Sequence, residues 1–365
     1  MSIKKLKVEG FKSIKSLELD LTDLNVLIGA NGAGKSNFIG IFEFLRKIAE
    51  SELQSYVALK GTLNNILYKG LKKTQKIYIQ FTADRNIYEA ELIPTENNKL
   101  AFNLEKCSFE TGRNKVYNEE YGKGHLETNA VNYFGEIETR VARNTFTKIL
   151  KEMNVYHFHD TSNTSPIKQK QMIDDNRGLR NDGSNIAPYL YLLKKNFPDD
   201  YDKILKTVKS IAPFIQEFRL EPDNINKSFI QLEWKETNSD NYFNANSFSD
   251  GTLRFICLAT LLIKPDIGDI KRTIIIDEPE LGLHPNALGL LGSLIRSTSK
   301  TNQIIISTQS VTLLNQFSYE DVIVVENDKE KGTQLKRLEQ EEMEKWVEDY
   351  SIGDLWEKNI ISGRP

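Results

Sequence analysis

Apolar and polar positions alternate along the start of the chain. Ile3, Leu6 and Val8 precede a glycine, and a second alternating run ends at Leu21. A period of two is typical of half-buried strands, so this pattern predicts two short antiparallel strands. The next segment, 24–28, is almost wholly apolar and predicts a buried third strand, which stops at a glycine-rich turn.

Helical spacing replaces this alternation after the turn. Phe38, Ile41 and Phe42 lie three or four residues apart, so they share one face of a helix that the pattern predicts over 35–50. A buried strand, a tight turn and an amphipathic helix therefore follow one another without interruption. This order is typical of α/β proteins.

The middle of the chain, residues 51–240, differs in character and is richer in Asn, Lys and Tyr. It predicts strands over 76–82 and 88–93, a polar surface loop or hairpin over 111–132, and a helical block over 185–211. No heptad pattern is sustained in this region, so no long coiled coil is predicted.

Strands and helices alternate again in the last third of the chain. The predicted elements are helices over 252–262 and 285–297 and strands over 273–276, 303–307 and 321–325. Such alternation favours a parallel sheet with right-handed crossovers. Near the end, Met343, Trp346, Val347 and Tyr350 have helical spacing and predict one more packed amphipathic helix.

These changes divide the chain into three segments. Residues 1–50 and 241–365 share one α/β pattern, and we assign both to a single head. Residues 51–240 are assigned to an inserted lobe and a helical subdomain that completes the head.

Composition and charge limit the classes of protein. Of the 365 residues, 39% are hydrophobic and 27% are charged, which excludes a chain that is disordered throughout. The net charge of −3 excludes DNA binding by general electrostatic attraction over the whole surface. Two distant cysteines form no disulfide framework, and the longest apolar run, 255–263, is half of a membrane span. We therefore expect a cytoplasmic protein without a membrane segment.

A glycine-rich loop, GANGAGKS over residues 29–36, matches the pattern G-x-x-x-x-G-K-[ST] in full. Its glycines let several backbone N–H groups point inward, and the following helix adds its positive end, so the loop suits phosphate. In this chemistry Lys35 reaches the β- and γ-phosphates and Ser36 is a ligand of Mg²⁺. The residues of this region that we assign to the nucleotide are Gly29, Asn31, Gly32, Ala33, Gly34, Lys35, Ser36 and Asn37.

An acidic pair ends the predicted strand over 273–276. Asp277 and Glu278 follow a run of β-branched residues, at the carboxyl end of a strand, where ligands bind in open α/β sheets. Two adjacent carboxylates are unfavourable there unless a cation or a substrate uses them. We predict that Asp277 holds Mg²⁺ and that Glu278 orients and polarises the attacking water.

The segment SFSDGTLR, residues 247–254, opens the next predicted helix and resembles the LSGGQ signature of the ABC ATPases. In that class, the signature serine and glycine contact the γ-phosphate held by the other subunit. The resemblance assigns Ser249 and Gly251 to this contact, and a helix N-terminus is suited to it. Asp250 and Thr252 depart from the common pattern, and a carboxylate beside phosphate is unfavourable unless it points away.

Gln309 stands where ABC ATPases usually have a switch histidine, just after the predicted strand over 303–307. A glutamine can hydrogen-bond a γ-phosphate or the attacking water, but it cannot carry a proton. We therefore place Gln309 beside Glu278 in the catalytic group and expect slow turnover.

The likeness extends along the whole chain, which resembles the RecF/SMC/OLD-like branch of these ATPases. Within that branch, the chain is similar to the compact stand-alone ATPases of bacteria. Further matching segments are VEGFKSI, STQSVTLL, VYHFHDTS, LRNDGSNIA and DLWEKNIISGRP. The resemblance implies an α/β fold: a P-loop NTPase with an ABC-type head, a mixed sheet, and an inserted α+β lobe in place of a coiled coil. It also implies ATP and Mg²⁺ as cofactors and a homodimer that forms on ATP binding.

Two functions follow from this resemblance. The first is an ATPase whose cycle drives DNA-related work, in repair or anti-phage defence, beside a nuclease or toxin partner encoded nearby. The alternative is a slow, nucleotide-gated regulatory subunit that controls a separate nuclease or toxin, and Gln309 favours it. A transporter motor is disfavoured because the insertion is large and no membrane segment is predicted.

Weaker candidates lie outside these motifs. His157 and His159 would share one face of a strand and, with Asp160, suggest a metal-dependent nuclease, but a packed strand is the preferred interpretation. His284 is assigned to packing at the subunit interface. The remaining candidates are a basic stretch better explained as a solvated loop than as a DNA contact (Lys168, Lys170, Arg177, Arg180) and two residues that the resemblance places near the nucleotide (Lys12, Ser13).

Overall fold

One mixed sheet runs through the computed structural model, which describes residues 2–111, 115–131, 144, 146–150, 153–264, 271–346 and 348–363. The strands of the described residues are β1 (Lys5–Phe11), β2 (Ile14–Asp20), β3 (Leu24–Ile28), β4 (Ile77–Ala83), β5 (Asn86–Pro94), β6 (Leu100–Glu110), β7 (Val116–Glu120), β8 (Met153–Tyr156), β9 (Gln171–Met172), β10 (Ile215–Arg219), β11 (Phe229–Ile230), β12 (Glu233–Glu236), β13 (Tyr242–Asn244), β14 (Thr273–Asp277), β15 (Gln303–Thr308), β16 (Val322–Asp328) and β17 (Gly332–Arg337). The helices are α1 (Lys35–Ala49), α2 (Leu53–Leu59), α3 (Ile186–Asn196), α4 (Pro198–Ile211), α5 (Asp250–Ile263), α6 (Pro285–Ser299), α7 (Val311–Leu314), α8 (Gln340–Met343) and α9 (Ile352–Glu357).

The main sheet has twelve strands in the order β7-β6-β5-β4-β1-β2-β17-β16-β3-β15-β14-β8. The strands from β16 to β8 are parallel, whereas those from β7 to β17 pair antiparallel. Strands of the middle segment, β4 to β7, extend the sheet begun by β1 and β2. The predicted α/β class and mixed sheet are confirmed, while the division at residues 50 and 240 stays a prediction.

Successive residues of the central strands belong to two different cores. Ile274 and Ile276 of β14 pack in one core together with α5, and Ile275 packs in the other together with α1. Since neighbouring strand residues point to opposite faces, α1 and α5 lie on opposite faces of the sheet. The helix after the glycine-rich loop and the helix opened by SDGT are thus separated by the sheet.

The local predictions hold best where burial is complete. The first three strands, helix α1 and strands β14 and β15 are confirmed within one or two residues. The helical block over 185–211 is two helices, because Pro198 lacks an amide hydrogen and Phe197 before it leaves the helical conformation. The described part of the segment 111–132 includes β7, which pairs antiparallel with β6, while residues 112–114 and 132 lie outside the described residues.

The predicted amphipathic helix at residues 343–350 is wrong. Helix α8 ends at Met343, and the described residues after it form turns. Of the described residues of this pattern, Met343 is buried, whereas Trp346 and Tyr350 remain 38% and 36% exposed. Val347 lies outside the described residues. A single anchor does not stabilise a helix of that length.

Within the described part of the chain, no helix combines the length and the apolar character that crossing a membrane requires.

Candidate nucleotide site

The glycine-rich loop joins β3 to α1 and needs its glycines for two separate reasons. Gly29, Gly32 and Gly34 have φ angles of 157°, 80° and 114°, which L side chains rarely adopt. A Cβ on Gly34 would lie 2.2 Å from Oγ1 of Thr333, and one on Gly29 would lie 2.3 Å from a backbone oxygen. Thr333 on β17 also donates a hydrogen bond to the carbonyl of Ala33, so the neighbouring strand fixes the loop.

Lys35 is folded back into its own loop. Its Nζ donates hydrogen bonds to the carbonyls of Gly29 (2.6 Å) and Ala30 (3.1 Å), and the residue is 5% exposed. Burial lowers the pKa of Lys35, while the negative charges of Glu278 and Asp277 oppose this effect. The ammonium group is therefore held by backbone oxygens of its own loop, within reach of the charges of both carboxylates.

Asp277 meets Ser36 at the carboxyl end of β14. The hydroxyl of Ser36 donates to one carboxylate oxygen at 3.3 Å, and the hydroxyl of Ser307, its partner on parallel strand β15, donates to the other. A hydroxyl and a carboxylate oxygen are the hard oxygen donors that Mg²⁺ prefers. The donor set of Ser36 and Asp277 therefore fits the predicted ion. Ser307 was not predicted, because only the register of β14 with β15 brings it to Asp277.

Glu278 and Gln309 are joined directly. Nε2 of Gln309 donates to Oε1 of Glu278 at 2.5 Å, so the two predicted catalytic residues lie side by side. Glu278 has a φ of 47°, a left-handed conformation that is strained for a residue with a Cβ. The backbone N–H of Gln309 donates to Glu280 at 2.8 Å, which ties the end of β15 to the turn after β14.

Glu280 is a site residue that the sequence analysis missed. One carboxylate oxygen accepts the Gln309 bond, and the other is buried and has no hydrogen-bond partner among the residues that the structure describes. Burial raises the pKa of Glu280, since a charged carboxylate is unfavourable away from water. The repeated acid in DEPE was the available signal for this residue.

Ser249 is the N-cap of helix α5, and its contact with a γ-phosphate stays a prediction. Its Oγ accepts a hydrogen bond from the N–H of Thr252 at 3.2 Å. A Cβ on Gly251 would lie 2.3 Å from the carbonyl oxygen of Gly282, so only glycine permits this approach. A cavity of about 380 Å³ lies between the start of α5, the start of α6 and the end of α4. Among the described residues, no hydrogen bond joins Ser249 to the glycine-rich loop.

Arg254 connects the start of α5 with the acidic turn, and the sequence analysis missed this role. Its guanidinium donates to the carbonyls of Phe158 (3.1 Å), His159 (2.8 Å) and Leu281 (2.8 Å). The ring of His159 in turn contacts the carbonyl of Asp277 at 3.0 Å. One side chain therefore fixes helix α5 to two segments that flank Asp277.

We expect Arg254→Met to lower ATP turnover about tenfold or more while nucleotide binding changes little, because three backbone carbonyls lose their donor and shift beside Asp277. Steady-state kinetics and titration with a fluorescent ATP analogue measure the two effects separately. Arg180→Met, at an exposed arginine paired with Asp175, is the matched control. Equal losses in both variants would contradict the role of Arg254.

The packed-strand interpretation is wrong for His157, His159 and Asp160, because β8 ends at Tyr156 and all three residues are exposed. The ring centroids of His157 and His159 are 5.8 Å apart, and Asp160 accepts hydrogen bonds from Ser162. Within the described residues, no three His, Cys, Asp or Glu side chains are placed to hold a metal together. His284 caps α6, with its Nδ1 accepting from an N–H two residues on at 3.3 Å.

The basic stretch is only partly the solvated loop that was predicted. Lys170 and Arg180 are exposed and pair with Asp223 and Asp175. Lys168 is instead 3% exposed, so the loop interpretation is wrong for this residue.

Asn37 and Ser13 support the glycine-rich loop through side-chain hydrogen bonds. Asn37 donates from its side chain to Oγ of Ser13 at 2.7 Å, and Thr333 donates to the same oxygen at 2.8 Å. Lys12 has a φ of 48°, and burial lowers its pKa. Asn37 and Ser13 thus brace the loop against β17 in this structure.

A glycine-rich loop of the P-loop pattern follows β3, and acidic residues lie at the end of β14 in the same mixed sheet. These features define a P-loop ATPase of the ABC type. Residues 24–315 match the family described as "AAA domain, putative AbiEii toxin, Type IV TA system", and the chain belongs to this family. The fold is similar to that of an SMC head bound to the C-winged helix domain of ScpA (TM-score 0.56, 17% identity, covering 94% of this chain and 100% of that one). An SMC head of Pyrococcus furiosus gives a TM-score of 0.52 at 14% identity, covering 95% of this chain and 99% of that one.

Three relatives match by sequence. Endonuclease GajA of Bacillus cereus is 20% identical over 86% of this chain and 56% of its own length, and Old nuclease of Escherichia phage P2 is 26% identical over 93% and 61%. An ATP/GTP phosphatase of Helicobacter pylori is 22% identical over 79% of both chains. This chain thus spans less than two thirds of the two nucleases. The predicted likeness to the RecF/SMC/OLD-like branch is confirmed.

Proposed function

We propose that this chain binds ATP with Mg²⁺ in the loop over 29–36 and hydrolyses it when two copies close on the nucleotide. The observation that supports hydrolysis is the pair of contacts at the end of β14, where Ser36 donates a hydrogen bond to Asp277 and Gln309 donates one to Glu278. A hydroxyl, two carboxylates and an amide beside a phosphate loop are the groups that phosphoryl transfer to water needs.

The residues of this site then have separate tasks. Lys35 leaves the carbonyls of Gly29 and Ala30 and contacts the β- and γ-phosphates. Ser36 and Asp277 hold Mg²⁺, which neutralises phosphate charge when bound. Glu278 accepts a hydrogen bond from the attacking water and aligns it with the γ-phosphorus. The water oxygen forms a bond to the γ-phosphorus as the bond from that phosphorus to the β–γ bridging oxygen breaks. The water gives up a proton through Glu278 to the departing phosphate, and ADP and phosphate result.

Closure of two copies is supported by the positions of α1 and α5. The loop that holds nucleotide precedes α1, and Ser249 begins α5 on the opposite face of the sheet. A γ-phosphate in one chain is therefore best met by Ser249 and Gly251 of a second copy, with the positive end of that helix directed at it.

The downstream role is DNA-related work in defence. The relatives include an endonuclease and a nuclease, and the family description names a toxin. We infer that ATP-driven opening and closing of the dimer controls a nuclease or toxin activity, either of an associated protein or of a further part of a longer chain.

Light scattering tests closure directly. The molar mass of the purified chain is expected to double from 41.9 kDa on addition of Mg²⁺ and a non-hydrolysable ATP analogue. Lys35→Ala should show no nucleotide-dependent change. A wild-type chain that keeps its single-copy mass in saturating nucleotide contradicts the proposal.

A second candidate function is a slow regulatory switch that binds ATP and restrains a separate effector. Gln309 favours this function, because a glutamine cannot take up and release a proton as the usual histidine can. Its side-chain amide also donates a hydrogen bond to Glu278, the residue that would otherwise contact the attacking water. Steady-state turnover with and without DNA, together with a pull-down from the native host, separates the two candidates. Turnover that DNA leaves unchanged, with a bound effector protein, favours the switch.

A further inference from the structure

The second position of the SDGT segment carries an unusual charge. Asp250 is the first residue of α5, directly after Ser249, and its side chain is 61% exposed. Under the proposed function, the terminal phosphate of a second copy's nucleotide approaches this helix end. An uncompensated carboxylate there repels the phosphate, and this repulsion opposes the attraction of the helix N-terminus.

A buried lysine lies beside this carboxylate. Nζ of Lys168 is 3.6 Å from Oδ1 of Asp250, although Lys168 comes from a different part of the chain and its side chain is only 4% exposed. Hydrogen bonds from Ser162 are the main cause of the lowered pKa of Asp160, and the charge of Lys168 adds a smaller contribution.

The backbone of Lys168 is held on both sides. Its N–H donates to the carbonyl of Ser165 at 3.0 Å, and its carbonyl accepts from Nε2 of Gln231 at 2.7 Å. The short turn Pro166–Lys168 packs directly against residues 245–247, which precede Ser249. Lys168 therefore starts from a hydrogen-bonded, packed backbone, and its ammonium group lies at the start of α5. It differs in this from an exposed lysine whose side chain moves freely in solvent.

Burial of a lysine is unfavourable unless nearby charges offset the lost hydration. The partner here is a mostly exposed carboxylate, so the pair is a poor source of stability. Its position instead suits the control of charge where the phosphate would arrive.

We propose that Lys168 neutralises Asp250 and thereby lets the start of α5 accept the terminal phosphate of the nucleotide bound by a second copy. Lys168 is then a positioning residue that acts through Asp250. This inference rests on the proposed closure of two copies and adds a residue pair that sets the strength of that closure.

The test is a double-mutant cycle on the full chain with Lys168→Gln, Asp250→Asn and both together. Lys168→Gln is expected to weaken nucleotide-dependent dimer formation and lower turnover about tenfold, since Asp250 then faces the phosphate alone. Asp250→Asn is expected to strengthen dimer formation, because the ammonium loses its counter-ion. The double variant should return to within about threefold of the wild type, since the charge it removes is balanced.

Salt gives a readout that a structural role would not change. Raising the ionic strength from about 0.05 M to 0.5 M should reduce the Lys168→Gln defect, because salt screens a repulsion but does not repair a folding defect. The affinity of the monomeric chain for an ATP analogue should be the same in the wild type and in all variants. Lys170→Gln, at the neighbouring exposed lysine, is the matched control and should keep wild-type turnover.

The outcomes separate this inference from the proposed function. A wild-type chain that does not dimerise with nucleotide overturns both. A wild-type chain that dimerises, with a double variant as defective as Lys168→Gln, overturns only the role of the Lys168–Asp250 pair. Recovery in the double variant supports the pair and excludes a merely structural lysine.

Discussion

Glu278→Gln is expected to bind ATP as tightly as the wild-type chain, to lose about 100-fold or more in turnover, and to accumulate the closed dimer. The carboxamide has the shape of the carboxylate and lies in the same strained turn, but it carries no negative charge to polarise the attacking water. Lys35, Ser36 and Asp277 remain intact, so phosphate and Mg²⁺ binding persist.

Single-turnover phosphate release and light scattering in Mg²⁺ and ATP measure the two parts of this result. Glu339→Gln, at an exposed glutamate before α8, serves as the matched control and should behave as wild type. Normal hydrolysis by Glu278→Gln would show that the catalytic carboxylate lies elsewhere, and Glu280 would be the next residue to test.

Lys35→Ala is expected to abolish the stabilisation of the fold by nucleotide. The wild-type chain should gain about 2.7 kcal/mol in its free energy of unfolding at ligand concentrations 100-fold above Kd. The variant lacks the ammonium that leaves two carbonyls for the phosphates, so its melting temperature should not respond to Mg²⁺ and ATP.

Differential scanning calorimetry with and without nucleotide checks this expectation. Without nucleotide, the variant should melt near the wild-type temperature, because the hydrogen bonds of Lys35 to described residues go to carbonyls of its own loop. Lys72→Ala, at an exposed lysine, should retain the full nucleotide response. A full response in Lys35→Ala would exclude the loop as the phosphate site.

The fold was predictable where burial determines the sequence pattern. Strand β3 is mostly apolar, and β14 and β15 each contain three consecutive isoleucines that are buried, which left little choice of element. Strand β17 was not predicted, because its burial alternates irregularly and its partners lie far away in sequence. The order of the strands in the sheet was not predictable for the same reason. Strands β2 and β17, for example, are far apart in sequence and become neighbours only in the folded sheet.

Motif spacing predicted the centre of the candidate site but not its surroundings. The loop and the acidic strand end required Ser36 and Asp277 to meet, because parallel strands present their carboxyl ends at one edge. Arg254, Glu280 and Lys168 act through bonds between segments that only tertiary packing brings together. A charged residue inside the apolar helix α5 was the one sequence signal for Arg254.

The separation of α1 and α5 by the sheet has a genetic consequence under the proposed closure. A copy with a damaged α5 start would still load its own nucleotide, yet it would spoil the pocket of whichever intact copy it joins. Such alleles should be dominant in a cell that also makes the wild-type chain, whereas alleles that prevent loading should be recessive.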